Sequence, residues 1–120
     1  DFVSFHYYEE LSELPSQYSK LKDSIPNKSI VLTEFGTSSY NGFWSIAGNS
    51  EKNQASFHKD FQTQIKENNI PFMSWTLYDF SYVPSDVTGN MPWKKNPQKL
   101  YGFIDTNGKE KESFQYISQP

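Results

Sequence analysis

Residues Ile30 to Ser38 read IVLTEFGTS, an apolar run that ends in the carboxylate of Glu34 and meets a glycine two residues later. A short aliphatic and β-branched run with no polar alternation is how a strand buried on both faces reads, and such strands belong to parallel sheets. In folds built on parallel sheets, functional groups gather where the strands end. Glu34 is therefore either the solvated end of a core strand or a group presented at the mouth of a site, and the rest of the chain decides which.

Reading outward, strand and helix alternate. DFVSFHYY, Asp1 to Tyr8, is rich in aromatic and β-branched residues and predicts a first strand. A helical region over about Glu9 to Ser24 follows, with Pro15 suited to the first turn of its second part and Tyr18, Leu21 and Ile25 on one face. Ser29 to Phe35 is the second strand. Gly36 to Asn49 is a glycine-punctuated loop, and Ser50 caps a helix to about Asn68 with Phe57, Phe61 and Ile65 in a stripe. PFMSWTLYDF from Pro71 predicts a third strand, and an irregular loop reaches Lys99. LYGFIDTNGKEKESFQYI then predicts a short strand, an Asn107-Gly108 turn and a last helix using Phe114 and Ile117. The order βαβαβ implies an α/β fold with a parallel sheet and right-handed crossovers.

Composition narrows the function. The 120 residues suffice for one modest domain, and 11 Lys and Arg against 14 Asp and Glu give a net charge of −3, so no nucleic-acid partner is expected. No apolar run approaches the roughly 18 residues of a membrane span. With no cysteine, a disulfide scaffold and a thiolate metal site are excluded. Aromatic residues make up 18% of the chain, many in loops such as YNGFW and MPWKK, an excess that sugar-stacking surfaces explain. The chain begins at Asp1 within a strand and without an initiator methionine, as a piece of a longer protein would.

Strict alternation along the first strand puts His6 and Tyr8 on one face with Ser4, and Val3 and Phe5 on the other, towards the helices. The same rule groups Glu34 with Leu32 and Ile30, and Trp75 with Met73. His6, Tyr8, Glu34 and Trp75 then stand together at the carboxyl ends of consecutive strands. Each alone is ordinary; a Trp in a buried strand is usually core, and a strand-end Tyr or His usually a hydrogen-bonded structural residue. Their convergence is what points to a site.

The segments FHYYE, VLTEFG, FMSWTLYDF and YGFIDTNGKEKESF, in that order, resemble the C-terminal half of clan A glycoside hydrolases, the retaining (β/α)8 enzymes that include cellulases and mannanases. The resemblance covers essentially the whole chain. It implies that residues 1–120 are a single fragment of a TIM-barrel catalytic domain, about strands 6–8 with their helices. It implies further that Glu34 is the nucleophile, with Tyr8 hydrogen-bonded to it and His6 lining the site, and that Trp75 floors the sugar subsite. Tyr40, Phe43 and Trp44 in the Gly36 to Asn49 insertion are expected to wall the site, and Asp79 is the nearby acid expected to touch substrate. The spacing agrees, since a barrel of about 250 residues has roughly 31 per unit, and 28 residues separate His6 from Glu34, 41 Glu34 from Trp75.

The clan's acid/base Glu, in an Asn-Glu pair, has no counterpart here, so the chain alone is expected to be inactive and to need either the missing N-terminal half of the barrel or a homo-oligomeric partner. The substrate implied is a β-linked polysaccharide or oligosaccharide, the location extracellular, periplasmic or at the cell surface. No metal or organic cofactor and no membrane partner are implied. Two other readings stand beside this one: a non-catalytic carbohydrate-binding relic and a small α/β interaction domain.

Overall fold

The computed structural model describes residues 1–42 and 49–117. The chain resolves into two compact units, one of Asp1–Gly36 with Asp60–Trp75 and one of Thr37–Lys59 with Thr76–Pro120.

In the first unit β1 (Phe2–His6) pairs in parallel with β2 (Ser29–Glu34). The crossover between them carries a 3-10 turn at Leu11–Glu13 and the helix α1 (Leu14–Ser24). Pro15 lies in the first turn of α1, where a missing N–H costs nothing. Leu14 and Tyr18 form its buried face, and the Tyr18 ring lies 6.2 Å from that of Phe5. The third strand read from the sequence is reduced to a segment alongside β2, joined by the single parallel bridge Leu32 to Phe72. The Leu32 N–H donates to the Pro71 carbonyl at 2.9 Å and the Met73 N–H to the Leu32 carbonyl at 2.7 Å.

The face assignment in β2 departs from strict alternation, and the reason is a β-bulge. Val3 pairs with Ile30 and Phe5 with Leu32, but His6 pairs with Glu34, so Thr33 is an extra residue on β2. The segment on the other side counts the same extra residue. Its Met73 and Trp75 N–H groups, two apart, donate to the carbonyls of Leu32 and Phe35, three apart. Ile30 and Leu32 therefore go with Val3 and Phe5 onto the helix-covered face and are buried at 3% and 0% exposure. Glu34 is turned away from them to the open face, with His6. The expectation that Glu34 shares a face with Leu32 and Ile30 is corrected on this ground. Met73, at 56% exposure, does stand open.

The long helix α2 (Glu51–Asn68) starts where expected, with the Ser50 hydroxyl accepting the Asn53 N–H at 3.2 Å. Its second half belongs to the first unit. There Phe61 stacks on Phe35, ring centroids 3.4 Å apart, and Phe72 meets both rings edge-on. These three aromatics, with Leu32 and Ile65, close the covered side of the sheet.

In the second unit the buried positions of the first half of α2 are Gln54, Ala55 and His58, and Phe57 is only half-buried. The Gln54 amide nitrogen lies 3.0 Å from the Thr37 carbonyl and 3.3 Å from that of Tyr101, and its oxygen accepts the Ser113 hydroxyl at 3.0 Å. Tyr78 and Ile104 form a parallel bridge, and Ile104 and Glu110 an antiparallel one across a turn in which Gly108 takes a positive φ of 85°. The region expected to be loop holds two short helices, α3 (Ser85–Thr88) and α4 (Pro92–Gln98), and the expected last helix is a 3-10 segment, Glu112–Tyr116. Among the described residues no helix is long and apolar enough to cross a membrane.

Candidate active site

Glu34 is carried to the open face of the first unit by the bulge at Thr33, and β-bulges commonly re-aim side chains beside active sites. Pairing resumes beyond it, the Tyr7 N–H donating to the Glu34 carbonyl at 2.9 Å. The main chain of Glu34 is thus held on one side by the end of β1. On the other, the Trp75 N–H donates at 2.9 Å to Phe35, the next residue along.

Two side chains converge on the Glu34 carboxylate. The Tyr8 hydroxyl donates to Oε1 at 2.7 Å, and His6 Nδ1 lies 3.5 Å from Oε2. The first distance is a short, charge-assisted hydrogen bond; the second is an electrostatic contact rather than a hydrogen bond. Tyr7, between them in sequence, turns inward, is buried at 8% exposure and donates its hydroxyl to the Glu10 carbonyl at 2.6 Å. Burial, with the charges of Glu13, Glu9 and Glu10, pushes the Tyr7 phenol above its ordinary range. Its inward turn is what leaves His6 and Tyr8 together on the open side.

Of the expected site residues, the structure brings together Glu34, Tyr8 and His6, and ties the main chain of Trp75 beside them with its side chain 39% exposed. Tyr40 and Asp79 belong to the second unit. Tyr40 is half-buried, and Asp79, expected to touch substrate, is buried at 7% with its Oδ1 accepting the Lys111 ammonium at 2.7 Å and the Gly102 N–H at 2.8 Å. That geometry makes Asp79 an internal anchor. Trp44 and Phe43 lie outside the described residues. Among the described residues no three His, Cys, Asp or Glu side chains are grouped to hold a metal ion.

No protein-family model matches the chain, and no curated protein matches its sequence. Solved structures do match. A β-glucuronidase from Faecalibacterium prausnitzii superposes over 100% of this chain and 22% of its own, with a TM-score of 0.63 and 16% identity. A protein from Bacteroides fragilis assigned as a β-galactosidase matches over 96% of this chain and 19% of its own, with a TM-score of 0.65 and 20% identity. A glycoside hydrolase family 17 β-1,3-glucanosyltransferase from Rhizomucor miehei matches over 92% of this chain and 41% of its own, with a TM-score of 0.62 and 15% identity. The chain shares the fold of part of these carbohydrate-active enzymes. It spans about a fifth of the length of the first two. At such identities the likeness is one of fold, and the chemistry has to be argued from the carboxylate and its partners.

Proposed function

We propose that the chain is the portion of a retaining glycoside hydrolase that carries the nucleophile, Glu34. The observation that carries the reading is the asymmetric grip on the carboxylate. Oε1 is fixed by the Tyr8 hydroxyl at 2.7 Å, and Oε2, held among the described residues by the looser His6 contact at 3.5 Å, is the oxygen presented for attack. In a retaining mechanism that oxygen bonds to the anomeric carbon as the glycosidic C–O bond breaks, and a second carboxyl group protonates the departing oxygen. Water, deprotonated by that second group, then releases the sugar. The second group is supplied by chain outside these 120 residues. Trp75, partly exposed and tied beside Glu34, is the sugar platform of this reading. The fold around it is the C-terminal portion of a (β/α)8 barrel of the clan A kind, and the fold shared with glycosidases of known structure supports it. The same reading puts the parent enzyme at an extracellular, periplasmic or cell-surface location, where polymeric glycans are met.

A 2-deoxy-2-fluoro glycoside offered to the complete protein is expected to trap a glycosyl-enzyme on Glu34, found by peptide mass mapping. Label on another carboxylate, or inversion at the anomeric carbon by NMR, overturns the reading. Glu34→Gln is expected to lower kcat by about 10⁴-fold or more while sugar binding changes little. Sugar binding without turnover in the unaltered protein would favour the carbohydrate-binding relic instead.

A further inference from the structure

The second unit holds two Asn-Gly pairs, Asn41-Gly42 and Asn107-Gly108. In such a pair the glycine main-chain nitrogen can attack the asparagine side-chain amide, because no Cβ on the second residue crowds the approach. The structure separates the two. The Tyr40 phenol lies where a Cβ on Gly42 would stand, whereas nothing lies within 4 Å of that position on Gly108. Thr106, Asn107, Gly108 and Lys109 are all exposed, at the tip of the turn between Ile104 and Glu110. A tip without buried contacts opens at low cost.

What closes the tip is Asp105. Its carbonyl accepts the Gly108 N–H at 3.0 Å, and its own N–H donates to the Lys109 carbonyl at 2.8 Å. Its Oδ1 accepts the Asn107 and Lys109 N–H groups at 2.8 and 2.9 Å. These donors, the Lys109 N–H foremost and then that of Asn107, hold the Asp105 carboxyl below its usual range, so it remains an ionised acceptor at neutral pH. The Gly108 nitrogen that would attack is thus engaged until the turn opens.

We propose that Asn107 is a site of spontaneous conversion to aspartate and isoaspartate in the folded protein, with Asp105 as the brake on its rate. The Gly108 nitrogen bonds to the Asn107 side-chain carbonyl carbon and gives up its proton, and the amide nitrogen leaves as ammonia. Water then opens the cyclic imide. Attack at the side-chain carbonyl gives aspartate, and attack at the main-chain carbonyl gives the isoaspartyl link. Either product loosens the turn. The Asn107 amide, itself hydrogen-bonded to Asp105, becomes a carboxylate that repels it, and the isoaspartyl link adds a methylene to the main chain. Beyond the turn the Lys111 N–H donates to the Phe103 carbonyl at 2.8 Å, so the same hairpin sets the position from which Lys111 reaches Asp79. The proposal is independent of the glycosidase reading.

Incubation of the intact protein at neutral pH tests it, followed by peptide mass mapping and by isoaspartyl methyltransferase labelling. The acid product is expected at residue 107 ahead of residue 41, and its appearance to be lost in Asn107→Gln. Asp105→Ala is expected to raise the rate towards that of the denatured wild type. Asp105→Asn, which keeps an acceptor oxygen without the charge, is expected to fall between. The converted fraction, separated by anion exchange, is expected to melt at a lower temperature than the unconverted one. Conversion at Asn41 first, or none at Asn107 over a period in which the denatured chain converts fully, overturns the site. Equal rates in the wild type and both Asp105 variants overturn the brake, and equal melting temperatures of the two fractions overturn the loosening of the turn.

Discussion

A carboxylate that attacks carbon needs one oxygen held and the other presented, and the two contacts on Glu34 differ in the way that requires. On the proposed reading, removing the held contact leaves the Glu34 nucleophile in place but lets it turn. Tyr8→Phe is therefore expected to cost about 10- to 100-fold in kcat/KM, the worth of one hydrogen bond to a charged group, and far less than Glu34→Gln. Kinetics of the two variants in the complete protein check the order; equal losses would mean that Tyr8 does chemistry of its own. The grouping of Glu34, Tyr8 and His6 was legible in the sequence because their types and positions at strand ends are themselves the signal. Asp79 was not, because nothing in PFMSWTLYDF says that its partner is Lys111, 32 positions on. The Lys111 and Asp79 side chains are 3% and 1% exposed, and the ammonium also reaches the Ser39 hydroxyl at 3.0 Å. Lys111→Met leaves a buried carboxylate without its cation and is expected to destabilise the fold by about 3–5 kcal/mol in denaturant melts, while replacing both partners costs less than replacing Lys111 alone.

Among the elements, periodicity found β1, α1, β2 and α2 within a residue or two, because each has an apolar pattern or a capping residue of its own. It failed at one inserted residue. A bulge leaves the composition of a strand unchanged, so IVLTEF reads as regular alternation although Thr33 shifts its phase. It also failed at α3 and α4, whose Pro84 and Pro92 read as loop punctuation yet sit at or just before a first helical turn, a position proline suits. The buried face of α2 was half legible. The apolar Phe61 and Ile65 marked it, whereas His58 read as polar and is fully buried, its ring 4.5 Å from that of Phe103. Burial there lowers the imidazole to about 4 from an ordinary 6.5. The folded state therefore holds His58 neutral, and the unfolded chain takes up the proton first as pH falls. The resulting contribution is fully present above pH 6.5 and is lost as the pH drops towards 4, by about 3 kcal/mol in all. Denaturant melts across that window are expected to show a steeper loss of stability in the wild type than in His58→Leu. Parallel curves would mean that this imidazole titrates normally.

At the scale of the whole molecule, the parallel α/β character was legible from the order of the elements. What the first unit lacks is cover for one side of its sheet. Ile30 and Leu32 are packed beneath α1 and α2, but Phe2 and Met73 are each 56% exposed, Tyr8 51% and Trp75 39%, all on or beside the face that carries Glu34. Fully burying one large apolar side chain stabilises by about 1.5–3 kcal/mol, so several such residues left in water favour association. β1 is also an edge strand with its outer hydrogen-bonding groups unpaired by any other strand among the described residues. On the reading proposed above, a partner covering this face must leave Glu34 reachable, which requires it to supply a site wall rather than a flat lid. The 120-residue chain by itself is accordingly expected to sediment as a dimer or larger species. Met73→Glu, which puts a charge on the exposed face without touching the covered one, is expected to weaken self-association and leave secondary structure by circular dichroism unchanged. A cleanly monomeric chain that unfolds in one cooperative step would show that the open face needs no partner, and would favour the small independent α/β domain over the barrel portion.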